Sequence, residues 1–307
     1  MAERHPPAGP RSVVVSGSSG LLGTALIPSL TAGGIRATRL VRRPPGPAEI
    51  GWDPAQGKLD PAHLEGVDAV INLGGESLAH WPWTEAYKRR ILESRTRTTE
   101  LLAGTFARMD RPPLVLVSAS AVGYYGDRGD EILREESKPG TGFLAEVAQA
   151  WEAATGAARA AGTRVVLARI GIVLSSAGGA LPTMLLPFRL GLGGRLGNGR
   201  QWMSWIAMDD TVRAIHHCLT EVSLTGAVNM TAPNPVTNRV FTETMGRVLR
   251  RPTVFPVPAL AVRLVLGEMG EQLLLAGQRV LPGRLQASGF RFSHPDLASA
   301  IASLLGS

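Results

Sequence analysis

The chain opens with an alternation of two patterns. Short runs of apolar, largely β-branched residues are separated by longer stretches in which apolar residues recur every three or four positions. Ser12-Val-Val-Val-Ser16 is the first run, and its unbroken apolar centre predicts a parallel strand buried on both faces. Helical spacing follows from Thr24 to Ala32 and stops at Gly33-Gly34. A second strand is expected from Ile35 to Arg42, a third from Val67 to Leu73, and a long helix from Trp83 to Ala107. Leu114 to Val117 reads as a strand running into Ser118-Ala-Ser120, Phe143 to Ala160 as an Ala-rich helix, and Val165 to Ala168 as another strand. Strands alternating with helices predict an α/β fold, a Rossmann-like parallel sheet with helices on both faces.

The rhythm changes near Gly171. Gly178-Gly179 and the stretch from Gly191 to Gly199 predict a glycine-rich connection. Beyond it, helices are expected over 209–219, 237–249, around 260–266, over 271–280 and over 295–305, with a strand at Val228-Asn-Met230. The expected organisation is a disordered lead over 1–11, a nucleotide-binding Rossmann domain over 12–175, and a smaller, mostly helical lobe over 176–307. That lobe is interleaved with the end of the sheet and lies on the substrate side.

The junction of the first strand and first helix carries Gly17-Ser18-Ser19-Gly20-Leu21-Leu22-Gly23. A glycine first in such a turn permits the tight bend, the second lets a pyrophosphate approach the backbone, and the third lets the helix pack on the strand. The helix start supplies free N–H groups and the positive end of a dipole. At the end of the second strand, a carboxylate would accept from the ribose 2′-hydroxyl of NAD. Here that strand ends in Val41-Arg42-Arg43, with Arg42 nineteen residues after Gly23. Guanidinium groups at this place match a 2′-phosphate, so the expected cofactor is NADP.

The net charge of +7 invites a nucleic-acid reading, but basic residues are scattered and aromatic residues are 5% of the chain, with no stacking platform. No nucleic-acid partner is expected. Cys218 is the only cysteine, which excludes a disulfide framework, a four-cysteine zinc site and an iron–sulfur cluster, and no metal is expected. No apolar run approaches the roughly 18 residues of a membrane span. The expected setting is cytoplasmic, with a small-molecule substrate, no membrane partner, and room for a homo-oligomer.

The G-x-x-G-x-x-G spacing resembles the extended short-chain dehydrogenases/reductases. Further segments resemble one atypical branch, the NADP-binding epimerase-like proteins with their own C-terminal domain: Asn72-Leu-Gly-Gly-Glu76, Ser118-Ala-Ser-Ala-Val-Gly-Tyr-Tyr-Gly126, Gly142-Phe-Leu-Ala-Glu146 with Trp151-Glu152, and Met203-Ser-Trp-Ile206 with Asp209-Asp210. Asn229-x-Thr-Ala-Pro-Asn-Pro235, Gly267-Glu-Met269, Gly277-Gln-Arg-Val-Leu-Pro282 and Ser288-Gly-Phe290 extend the likeness over roughly residues 12 to 305. The resemblance implies that Val41, Leu73 and Gly74 line the adenosine and pyrophosphate. It implies that Arg95 reaches a cofactor phosphate, that Val173 flanks the nicotinamide, and that Ser120 stands at the catalytic Ser/Thr position.

Ordinary members of that superfamily place Tyr-x-x-x-Lys on a helix, the lysine lowering the pKa of the tyrosine that moves the proton. Four residues after Tyr87, Tyr124 and Tyr125 stand Ile91, Arg128 and Gly129, and the chain holds only three lysines, so the pair is absent. The candidates left are the Ser120 hydroxyl, the Tyr124 and Tyr125 phenols in the loop after the strand, and Glu146 if burial raises its pKa. Two readings stay open: an NADP-dependent oxidoreductase or epimerase acting on a small molecule, and a non-catalytic NADP(H)-binding sensor.

Overall fold

A computed structural model of the chain describes residues 9–306. In chain order its elements are β1 (Ser12–Ser16), α1 (Leu21–Ala32), β2 (Arg36–Val41), β3 (Glu49–Gly51), β4 (Ala69–Asn72), α2 (Glu85–Phe106), β5 (Val115–Ala121), β6 (Ile132–Leu133), α3 (Phe143–Ala153), α4 (Gly156–Ala160), β7 (Arg164–Ile170) and β8 (Ile172–Leu174). There follow α5 (Ala180–Arg189), β9 (Trp202–Met203), β10 (Trp205–Ala207), α6 (Met208–Thr220), β11 (Gly226–Met230), β12 (Val236–Thr237), α7 (Asn238–Leu249), α8 (Ala259–Gly270), β13 (Arg279–Val280), α9 (Gly283–Ala287) and α10 (Leu297–Leu305).

Seven strands form one sheet in the order β3-β2-β1-β4-β5-β7-β11, every neighbouring pair parallel. The order reverses between β1 and β4. In such sheets the crevice at the C-terminal ends of these two strands is where ligands bind.

Strand alternation divides the apolar residues between two faces. Val13, Val15, Ile71, Val117, Val166 and Ala168 pack with α1 and α6 through Leu26, Leu30, Val212 and Ile215. Val14, Val70, Leu116, Val165 and Leu167 pack on the other face with α2 and α4 through Leu102, Phe106 and Ala158. The expected Rossmann-like sheet covered on both faces is therefore what the chain forms. A separate core under the lobe gathers Leu181, Leu185, Phe188, Trp205, Phe241, Met245 and Ile301.

The structure also departs from the sequence reading. The glycine-rich connection contains α5, whose helical pattern is masked by Pro182 in its first turn and Pro187 inside it. The expected 143–160 helix is two helices, broken where the Thr155 hydroxyl donates to the Glu152 carbonyl at 2.7 Å. Of the expected 271–280 helix only Glu271–Leu275 is helical, as a π-turn; Gly277 then meets the Trp202 backbone so closely that a Cβ would lie 2.4 Å from its nitrogen. Arg279–Val280 pairs instead with β6. Of the expected disordered lead, residues 1–8 lie outside the described residues, whereas the Arg11 amide donates to Asp68 Oδ2 at 2.9 Å.

Candidate cofactor and active site

β1 and β4 end side by side. Gly17 has a φ of +66°, and a Cβ on it would lie 2.7 Å from the carbonyl carbon of Leu73. Gly23 is as constrained, since its Cβ would lie 2.4 Å from the Gly17 oxygen. Both glycines serve the turn itself.

Gly20 is different. Its φ of −76° and ψ of 173° suit any residue, and a Cβ there would meet only the Gly17 oxygen, at 3.3 Å. The backbone does not require a glycine at this exposed position, and the one close contact a Cβ would make is tight but single. Gly20 also begins α1, which has no side-chain N-cap and no acidic residue in its first turn. Its first N–H groups therefore have no side-chain partner among the described residues, as anion binding requires. Across the turn lies the loop leading into α5, where a Cβ on Gly179 would lie 2.7 Å from Leu21 Cδ2.

The two arginines after β2 have different roles. Arg43 is clamped by Glu49 through two hydrogen bonds of 2.8 and 2.6 Å. Its guanidinium holds the Glu49 carboxyl below the usual carboxylate range. Arg42 is exposed and has no hydrogen-bond or ion-pair partner among the described residues. Val41, Leu73 and Gly74, half-buried, sit at the strand ends around it and the turn.

Arg95 is not aimed outward. It is buried, donates to the carbonyls of Ile91 at 2.9 Å and Glu76 at 3.0 Å, and lies under Gly75. Burial pulls its pKa down to about 10. In this structure it props the loop after β4 from beneath. Val173 is half-buried on β8, opposite Ile206 of β10.

Three of the four proton-transfer candidates converge on one buried ion pair that the sequence reading missed. Arg169 grips Glu152 through Nε–Oε1 at 2.8 Å and Nη2–Oε2 at 2.9 Å. The Ser120 hydroxyl donates to the same Oε1 at 2.7 Å. Arg169 Nη1 donates to the Tyr125 hydroxyl at 2.9 Å, which in turn donates to Asn229 Oδ1 at 2.7 Å. The guanidinium also stacks on the Tyr124 ring, 3.5 Å from its centroid. Burial opposes the Arg169 charge, yet the hydrogen bonds to Glu152 outweigh it and hold its pKa above the usual value.

These contacts sort the candidates. Tyr125 is fully buried with both hydroxyl functions engaged, so it does not swing over a bound ligand. Ser120 is buried and its proton is given to Glu152. Tyr124 is half-buried, and its hydroxyl has no hydrogen-bond partner among the described residues. Glu146 is exposed on α3, so the burial its acid role required is missing.

A charged residue inside the apolar run Val165–Ile170 was the available signal for Arg169, since such a residue needs a partner. Glu152 and Asn229 lay inside the motifs that carried the resemblance, without a role attached.

Residues weighed less in the sequence fall into structural roles. His216 meets Ser29 at 3.0 Å and His217 meets Ser288 at 2.8 Å. Asp210 accepts from the amides of Ser293 and His294, each at 2.8 Å. Trp205 is core, while Trp202 lies under Arg279, whose guanidinium is 4.3 Å from its ring. No group of residues with metal-binding geometry occurs among the described residues, and no described helix is long and apolar enough to cross a membrane.

The family model described as the NAD-dependent epimerase/dehydratase family matches residues 13–230. The chain belongs to the NAD-dependent epimerase/dehydratase family. A second model, a domain of unknown function, matches residues 257–304, spanning α8 to α10. An epimerase family protein of Mycobacterium bovis is 46% identical over 290 residues, covering 94% of this chain and 96% of that protein. A crystal structure of the human epimerase family protein SDR39U1 with NADPH superposes with a TM-score of 0.87 at 35% identity, covering 96% of this chain and 99% of that one. A nucleoside-diphosphate sugar epimerase from Corynebacterium glutamicum gives a TM-score of 0.81 at 38% identity, covering 97% of this chain and 58% of that one. In this family member the described crevice thus stands on the family's fold, with the ion pair of Arg169 and Glu152 beneath its C-terminal edge.

The buried phenol gives this fold an alkaline limit. Burial pushes Tyr125 up to about 12, against the pull of Arg169. In an unfolded chain a tyrosine titrates near ~10. Between these values the folded protein keeps a proton that the unfolded chain has lost. The stabilisation is fully present below about pH 10 and is lost as pH rises through about 12. Urea midpoints measured across this window should fall steadily, and the Tyr125→Phe variant should show a shallower decline.

Proposed function

We propose that the protein is an NADP(H)-dependent oxidoreductase or epimerase of the extended short-chain dehydrogenase type, acting on a small molecule. The observation that carries the cofactor is the contrast at the end of β2: Arg43 is consumed by Glu49, while Arg42 is exposed and has no partner among the described residues. When bound, NADP(H) supplies the hydride chemistry. The chain's part is to hold it. The α1 N–H groups and the open space at Gly20 suit the pyrophosphate, and Arg42 suits the 2′-phosphate. The NADPH in the human relative's crystal structure supports the same assignment.

For proton transfer we assign Tyr124, whose hydroxyl has no hydrogen-bond partner among the described residues and whose ring lies against the Arg169 guanidinium. Ser120, buried with its proton given to Glu152, acts at one remove by fixing the carboxylate that holds Arg169 against the Tyr124 ring. We place the protein in the cytoplasm, in keeping with a chain whose single cysteine builds no disulfide framework. The sensor reading keeps one observation in its favour, that Ser120 and Tyr125 are locked within the protein rather than offered to a ligand.

Two measurements test this. Calorimetry should show NADPH binding more tightly than NADH, with Arg42→Ala removing roughly 1.5–3 kcal/mol from NADPH alone. Equal affinities in the parent protein would contradict the assignment. NADPH oxidation with pooled carbonyl compounds should then reveal a substrate. On it, Tyr124→Phe should lower kcat by about a hundredfold with little change in NADPH affinity, and Ser120→Ala should lower it less. Parent-level turnover by Tyr124→Phe would remove that residue from the chemistry, and NADPH binding with no turnover on any carbonyl would favour the sensor.

A further inference from the structure

Nine of the fourteen exposed large hydrophobic residues described in the chain fall in two short segments of the lobe, 186–192 and 254–265. Leu186, Leu190, Leu192, Phe255, Leu260 and Leu264 among them are 53–78% exposed. The two segments lie side by side. The Val257 amide donates to the Arg195 carbonyl at 2.9 Å, the Gly197 amide donates to the Val257 carbonyl at 2.8 Å, and Gly194 packs on the Phe255 carbonyl. A concentration of protruding apolar side chains on this scale marks an interaction surface.

Within these two segments the charge is one-sided, with Glu243, Glu268 and Glu271 lying just outside them. No Asp or Glu occurs in residues 153–208 or in residues 244–267. Arg189, Arg195, Arg250 and Arg251 are exposed within or beside the apolar segments, and none has an ion-pair partner among the described residues. Arg263, between Leu260 and Leu264, pairs with Glu271 from beyond the segment. Apolar side chains that protrude among unpaired arginines complement a surface with an apolar interior under an anionic layer.

We propose that this face of α5, α8 and the 190–197 and 252–258 segments docks on an anionic lipid bilayer. Leu186, Leu190, Leu260 and Leu264 enter the acyl boundary and the arginines meet lipid phosphates. A nucleic acid would satisfy the arginines but leave the aliphatic side chains in water. A span is not involved; the protein rests on the membrane and its sheet stays in the aqueous phase.

The test is flotation of the full chain with vesicles of phosphatidylcholine alone, and of phosphatidylcholine with about 30 mol% phosphatidylglycerol. Binding is expected to the anionic vesicles only, weakening as salt rises from about 0.1 M to about 0.5 M. Leu190→Glu with Leu264→Glu, both at exposed positions, should reduce flotation by roughly tenfold or more at an unchanged melting temperature. Arg189→Gln with Arg251→Gln should reduce it by a similar factor. The proposal is overturned if the parent fails to float with anionic vesicles at low salt, if it floats equally with neutral ones, or if either double variant floats like the parent. It is also overturned if sedimentation shows a dimer that Leu190→Glu with Leu264→Glu dissociates, since a second copy then covers this face.

Discussion

A Gly20→Val variant should fold with the parent's melting temperature and lose NADPH binding by about a hundredfold or more in calorimetry. The backbone at Gly20 is extended and open to any residue. Its Cβ would touch only the Gly17 oxygen, at 3.3 Å, and the residue is exposed. The branched side chain then fills the space a pyrophosphate needs against the first N–H groups of α1. The matched control is Gly23→Val. There a Cβ would lie 2.4 Å from the Gly17 oxygen and 2.6 Å from Ser18 Cα, so that variant should lose stability as well. If Gly20→Val binds NADPH at the parent's affinity, the glycine turn is not the phosphate site.

Glu152→Ala should destabilise the protein by roughly 3–5 kcal/mol, because it strands a buried guanidinium. The Arg169 and Glu152 side chains are only 5% and 10% exposed, and the carboxylate carries both the bidentate contact and the Ser120 proton. Its loss also frees Arg169 to shift against the Tyr124 ring. Glu152→Gln keeps the shape and removes the charge, so it should cost less than the alanine variant. Urea unfolding of the three proteins measures this. An alanine variant as stable as the parent would mean that the pair contributes nothing to the fold and that Arg169 finds other partners.

The parallel sheet was legible because its strands are nearly pure apolar runs and its first turn has spaced glycines. Those signals are local and chemically unambiguous. The short edge strand Glu49–Gly51 was invisible, since three half-buried residues carry no pattern. The helix α5 was hidden by its own prolines and the glycines on either side. At the site, sequence separated the NADP-type end of β2 from a carboxylate type and singled out Arg42 by its spacing, but it could not show that Arg43 is taken up by Glu49, whose place is set by a turn. The same limit applies to Ser120, Tyr124 and Tyr125. Their residue types suit chemistry, yet which hydroxyl is free depends on Arg169, Glu152 and Asn229, which come from three separate elements. The lobe's exposed leucines were likewise indistinguishable from buried ones, because a helix with apolar residues on several sides does not announce which side is covered.

The sheet's connectivity also constrains the order in which this protein can be made. The face bearing Val117, Val166 and Ala168 is closed by α6, and the edge beyond β7 is closed by β11, both encoded after α5. When residues through β8 have left the ribosome, this apolar face is still uncovered and β7 still has a bare edge. Domains tend to fold as units during synthesis, and exposed faces and edges of this kind are prone to aggregation. The first half of the chain must therefore wait, in an unfinished state, until Met208–Met230 has been translated. A ribosome stalled between β8 and α6 would present the chaperone machinery with a nearly complete nucleotide-binding sheet that has no way to finish its core.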